Sequence, residues 1–155
     1  MSKPASRPAN ARSAGLFLDN QLCFSLYATS LAMTKAYRPL LAQIGLTYPQ
    51  YVVMLALWEH DELSAGALGE RVALDSGTLV PLIRKLKTLG LVDRKRSATD
   101  DRSVLISLTP AGSRLRVRAH AVHDQVACAT RRTTEQRQAL TRSLQSLRAS
   151  LLGVA

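Results

Sequence analysis

Apolar residues recur at spacings of three, four and seven between Leu16 and Leu46, with Leu22, Leu26, Met33, Tyr37 and Leu41 on one side. That period is helical. Pro39 interrupts the run and predicts a kink or a break there, and Gly45 closes it. The stretch LTYPQYVVMLALWEH opens a second helix with Pro49 at or near its first turn. SAGALGERVAL reads as a short helix capped by Ser64. DSGTLVPLIRKLKTLG reads as another, begun by Asp75 or Ser76 and ended by Gly90. Its buried stripe is Leu79, Leu82, Ile83, Leu86 and Leu89, and Pro81 falls early enough to be tolerated. The join ALDSGT is short, so these two helices meet steeply, as a helix-turn-helix.

The period then changes. LVDRKR and SVLISLT alternate apolar and polar residues around the polar SATDD, which predicts a β-hairpin. A helix-turn-helix followed by such a hairpin is a winged helix. Thr109 and Pro110 predict an N-cap and first residue of a further helix, with a stripe of Leu115, Ala119, Val122, Val126 and Ala129. Thr133 and Gln136 fit a capping box, and Leu140, Leu144, Leu147 and Leu151 follow as a regular seam. The predicted fold is mainly α with a small β-wing. A basic, disordered arm over 1–15 precedes one domain over 16–155. Within it a winged helix-turn-helix over 49–109 is flanked by dimerisation helices over 16–48 and 110–155. Long amphipathic helices at both ends exceed what a small winged helix can cover, so a helical interface with a second copy is expected. A monomeric bundle closing on itself is the alternative.

The 155 residues suit one domain, and 46% apolar residues suffice for a core. No run of about 18 apolar residues exists to span a membrane. The first 13 residues lack the apolar block of a signal peptide, so a cytoplasmic location is expected. The net charge of +10 is uneven: +3 over residues 1–13, −3 over 14–83, +4 over 84–102 and +6 beyond. A basic chain of this size most often meets nucleic acid. Ser76, Gly77 and Thr78 are small and polar, as the first turn of a groove-reading helix requires, and their amides suit phosphate. Arg84 is a candidate for a guanine edge, and Lys85 and Lys87 for phosphates. The wing carries Arg94, Lys95, Arg96 and Arg102. Arg102 is the candidate for a minor groove, its guanidinium held by Asp100 or Asp101. A two-fold dimer implies double-stranded operator DNA with an inverted repeat, its half-sites about one helical turn apart.

LDNQLCFSLY places Cys23 near the start of the first helix, and Cys128 is the second of the chain's two cysteines. In a reducing compartment such thiols are buried, metal-bound or redox-active rather than a structural framework. A thiol of ordinary acidity is mostly protonated at neutral pH. No Lys or Arg lies within a helical turn of Cys23, and Asp19 sits four residues before it. Tyrosine hydroxyls can donate hydrogen bonds to sulfur without adding charge. Tyr27 is one turn away, whereas Tyr37 lies 14 residues on, about 21 Å along a straight helix. A role for Tyr37 beside a thiol at Cys23 requires a second, antiparallel copy of this helix; taken singly, Tyr37 and Tyr48 read better as amphipathic core tyrosines. His120 and His123 at helical spacing, near Asp124 and Cys128, admit a metal-responsive alternative. A cleft between dimer helices admits a small aromatic ligand with an inert Cys23. An enzyme such as a thiol peroxidase has no Cys-x-x-Cys, recycling motif or nucleotide site in its favour, and no cofactor is expected.

The run GALGERVALDSGTLVPLIRKLKTLGLVDRKRSATDDRSVLISLTPAG resembles the winged helix of the MarR family of bacterial repressors, down to its Asp-Asp-Arg wing tip and Leu-Thr-Pro-Ala-Gly strand exit. LDNQLCFSLYATSLAMTKAYRPLLAQIGLTYPQYVVMLALWE resembles the organic hydroperoxide resistance regulators within that family. Coverage is roughly residues 16–150. The resemblance implies a homodimeric repressor whose N-terminal cysteine is oxidised by organic hydroperoxides. It assigns the sensing thiol to Cys23, the paired supporting tyrosines to Tyr37 and Tyr48, and the resolving thiol to Cys128. The expected switch is a disulfide between Cys23 and the partner's Cys128, which releases the operator and is reset by a cellular thiol reductant. Leu16, Phe17, Leu22, Phe24 and Met54 are expected to line a pocket favouring alkyl, aryl or lipid hydroperoxides.

Overall fold

The computed structural model describes residues 15–96 and 104–153. After a 3₁₀ turn at Leu18–Asn20, six α-helices follow among the described residues: α1 (Leu22–Ala42), α2 (Tyr48–Glu59), α3 (Ala65–Val72), α4 (Ser76–Thr88), α5 (Pro110–Ala129) and α6 (Thr134–Leu151). Strands β1 (Leu63–Ser64), β2 (Val92–Arg96) and β3 (Val104–Leu108) form an antiparallel sheet in the order β1-β3-β2. Val92 pairs with Leu108 and Arg96 with Val104, while Leu63 pairs with Ile106. This is a winged helix-turn-helix carried between long terminal helices.

Local chemistry explains the boundaries. Thr47 and Gln50 form a reciprocal capping box that starts α2, with Pro49 in its first turn. Ser64 Oγ accepts from the Ala67 amide to start α3, and Asp75 Oδ1 accepts from the Thr78 amide at 2.9 Å to start α4. Between them Ala73 takes a left-handed conformation (φ 58°), which makes the turn tight. Thr109 caps α5, and Thr133 with Gln136 boxes α6. Pro39 does not break α1; the helix runs three residues past it, to Ala42. A proline so near the C-terminus removes one ladder bond and leaves little helix beyond to be displaced.

The core centres on α2, which is apolar nearly all round and therefore buried. Tyr51, Val53, Met54, Leu57 and Trp58 pack with Leu41, Leu68, Leu79, Ile83, Leu86, Ile106 and Leu115. Two stripe positions differ from expectation: Leu89 is exposed at the end of α4, and Ala129 at the end of α5. The terminal helices contrast with this core. No residue of α6 is buried, and Leu140, Leu144 and Leu151 are 50%, 41% and 76% exposed. Leu22, Tyr27 and Leu31 of α1 are exposed as well. No helix among the described residues is long and apolar enough to cross a membrane.

Candidate functional site

The first face of interest is built on α4 and the wing. Ser76, Gly77 and Thr78 form the exposed first turn of α4. The Asp75 carboxylate accepts the Thr78 amide and, at 3.0 Å, the Thr78 hydroxyl. Those bonds, the amide first, hold Asp75 below the usual carboxylate range. The Thr78 hydroxyl proton is thereby committed to Asp75. Arg84 and Lys85 are exposed further along α4, and Arg94 and Arg96 are exposed on β2. Lys87 is engaged: its Nζ donates to Asp93 Oδ1 at 2.7 Å. Lys95 likewise reaches Glu62 at 3.2 Å. Neither partner was evident from the chain, because Asp93 and Glu62 meet these lysines only once the hairpin has folded. Asp100, Asp101 and Arg102 lie outside the described residues.

The second face surrounds the thiols. Cys23 sits in the first turn of α1 and Cys128 near the end of α5; both are free and exposed. Tyr27 is 62% exposed, and among the described residues no hydrogen bond joins it to Cys23. Tyr37 and Tyr48 come together, ring centroids 5.1 Å apart. Tyr51 adjoins Tyr37 at 5.6 Å; it belongs to this cluster and escaped the sequence reading, though its i, i+3 spacing from Tyr48 was the available signal. Burial first, and then the neighbouring phenols of Tyr51 and Tyr48, push Tyr37 up to about 12. At physiological pH its hydroxyl is protonated, as an ordinary tyrosine's is, and is available as a donor. Tyr37 also lines an open groove of about 500 Å³ between α1, α5 and α6, with Met33, Val126, Thr130, Arg137 and Arg142.

Within one chain these two features stay apart. An unbroken α1 separates Cys23 from Tyr37 by 14 residues, about 21 Å. The expected apolar pocket is not assembled by one chain either. Met54 is fully buried in the core, while Leu16, Phe17 and Leu22 are 86%, 49% and 59% exposed. His120 and His123 border a further groove of about 450 Å³ between α2 and α5, together with Arg116. Among the described residues no group of three or more His, Cys, Asp or Glu is arranged to hold a metal ion. Glu59, itself paired with Arg71, lines the same groove, as do Tyr51 and Trp58.

The profile of the transcriptional regulator SarA/Rot family matches residues 35–116. The organic hydroperoxide resistance transcriptional regulator of Bacillus subtilis is 54% identical over 102 residues, 66% of this chain and 69% of that protein. The HTH-type transcriptional regulator TtmR of Methylorubrum extorquens is 46% identical over 134 residues, 86% of this chain and 69% of that protein. AbfR of Staphylococcus epidermidis superposes with a TM-score of 0.72 at 32% identity, covering 92% of this chain and 99% of that one. Its reduced, DNA-bound form gives 0.70 over the same shares. Its disulfide form gives 0.62, covering 88% of this chain and 96% of that one.

Proposed function

The chain belongs to the MarR/SarA-type winged-helix transcriptional regulators, in the branch of the organic hydroperoxide resistance regulators, and from that premise we propose that it is a homodimeric, cytoplasmic repressor switched by oxidation of Cys23. The family accounts for the DNA-binding face. The thiol site supplies the signal. One observation carries the reading: Tyr37, paired with Tyr48, lines an open groove, while its own Cys23 lies about 21 Å away along α1. A second copy, crossing antiparallel, brings its Cys23 there.

The chemistry follows. The Cys23 thiolate attacks the terminal oxygen of an organic hydroperoxide; the O–O bond breaks and the alcohol leaves with a proton. The phenols of Tyr37 and Tyr48 donate hydrogen bonds to the sulfur and so stabilise the thiolate from which the attack starts. The resulting Cys23 sulfenic acid condenses with the partner's Cys128, forming the S–S bond and releasing water. In sum, two thiols are oxidised and one hydroperoxide is reduced to an alcohol. A disulfide requires Cα atoms within about 7 Å, so closing it draws the terminal helices together and moves the two winged helices off their operator spacing. A cellular dithiol reverses the bond.

Exposed α6 supports the dimer. Burying leucines such as Leu140, Leu144 and Leu151 contributes on the order of 1.5–3 kcal/mol each. Ser76, Gly77, Thr78, Arg84, Lys85, Arg94 and Arg96 would meet DNA directly, with Lys87 exchanging Asp93 for a phosphate.

Non-reducing electrophoresis after cumene hydroperoxide tests the pairing. A covalent dimer is expected from the wild type and none from Cys128→Ser; the same band from that variant contradicts the pairing. If Cys23→Ser still leaves DNA on peroxide treatment, the thiol is not the sensor. Release of that variant by a small aromatic compound would instead establish the ligand-released alternative.

A further inference from the structure

Four aromatic rings run in series from the thiol-supporting tyrosines toward the wing. Tyr48 meets Tyr37, Tyr37 meets Tyr51, and Tyr51 meets Trp58 edge-on at 6.3 Å. Tyr51 is 2% exposed and Trp58 8%. Tyr48, Tyr51 and Trp58 are three and then seven residues apart along α2, on one helix face. The series ends in a directed bond, in which the Trp58 indole N–H donates to the Gly112 carbonyl at 2.9 Å in a buried setting.

Gly112 has no clearance of its own. A Cβ at that position would stand 2.0 Å from the Leu91 carbonyl oxygen, so only glycine lets α5 approach so closely. The same Leu91 oxygen accepts the Thr109 amide, and the Thr109 hydroxyl donates to the Gly90 carbonyl at 2.6 Å. Leu89, Gly90, with φ of 70°, and Leu91 are the whole link between α4 and β2. The first turn of α5 is thus fastened to the point where the DNA-reading helix turns into the wing.

We propose that Tyr51 and Trp58 are positioning residues that transmit the state of the thiol site to the α4–β2 link, an inference that rests on the hydroperoxide reading above. Close-packed rings change arrangement together rather than by continuous deformation. When oxidation takes the thiolate from the Tyr37 and Tyr48 hydroxyls, those rings resettle and Tyr51, packed between Tyr37 and Trp58 at the floor of the α2–α5 groove, goes with them. Trp58 then either carries Gly112 along or leaves a buried donor unpaired, a condition folded proteins avoid. Since Gly112 is locked to Leu91, the α4–β2 link is displaced with it.

Trp58 is the chain's single tryptophan, so its emission reports on the relay in the intact wild-type protein. Cumene hydroperoxide is expected to shift that emission in step with DNA release, with dithiothreitol restoring both and Cys23→Ser abolishing both. Complete oxidation of Cys23 with DNA release and no change in Trp58 emission overturns the relay while leaving the hydroperoxide reading intact. A wild type whose Cys23 does not respond to peroxide overturns both. Trp58→Phe, which keeps a ring and removes the N–H, is expected to bind the operator normally when reduced but to lose about tenfold of the oxidised-to-reduced difference in Kd. Tyr51→Leu should lower the same ratio, and the double variant should lose no more than the larger single loss. Strictly additive losses, or a wild-type ratio in Trp58→Phe, contradict the proposal.

Discussion

Burial, with Tyr51 and Tyr48 close by, pushes the Tyr37 phenol up to about 12, against 10.0 for an ordinary tyrosine. A raised value means that the folded chain holds this proton more tightly than the unfolded chain does. The associated stability is present in full below about pH 10 and is lost as pH rises through about 12. Tyr37→Phe is therefore expected to flatten the alkaline fall in melting temperature between pH 9 and 12, and equal slopes for wild type and variant would contradict it. The same substitution removes a donor and should slow Cys23 oxidation. The pairing of Tyr37 with Tyr48 was expected from the family resemblance, and the fold brings the two rings to 5.1 Å; their role toward sulfur, like that of Cys23 and Cys128, belongs to the proposal. The occupied state of Lys87 and Lys95 was not legible in the chain, since Lys95 finds Glu62 33 residues away. Such pairs come from tertiary packing, and sequence periodicity carries no record of them.

At the scale of elements, caps wrote most boundaries into the sequence. Thr47, Ser64, Asp75, Thr109 and Thr133 each precede the helix they start. Strand β1 was invisible, because two residues at Leu63–Ser64 have no alternation and pair only where β3 presents its edge. Helix α6 displays the opposite case, an unmistakable apolar seam that its own chain does not bury. Leu144→Asp tests the use of that seam. The chain is expected to keep its helical circular dichroism and to sediment as a monomer with weakened operator binding. A variant that remains dimeric would remove α6 from the interface.

For the whole molecule, the winged helix is the DNA-reading unit of the family, and the proposal gives the terminal helices the coupling between copies. The net charge of +10 contributes affinity through counterion release. Operator affinity should fall steeply with salt, and Arg84→Ala should lower the slope of log K against log salt by about one if Arg84 meets a phosphate. An unchanged slope with altered sequence preference would assign it to a base edge instead. The architecture was legible from hydrophobic periods alone. So was the separation of Cys23 from its own Tyr37, 14 residues along one helix, about 21 Å.

The most direct measurement maps the disulfide in the same sample that releases DNA. Reduced protein on its operator is treated with cumene hydroperoxide, and the released fraction is digested under non-reducing conditions for mass spectrometry. Mixed isotope-labelled and unlabelled copies distinguish bonds between chains from bonds within one. The account expects Cys23 joined to Cys128 across chains in proportion to the DNA released, and dithiothreitol restoring binding. Release with Cys23 unoxidised, or with both cysteines joined inside a single chain, would contradict it.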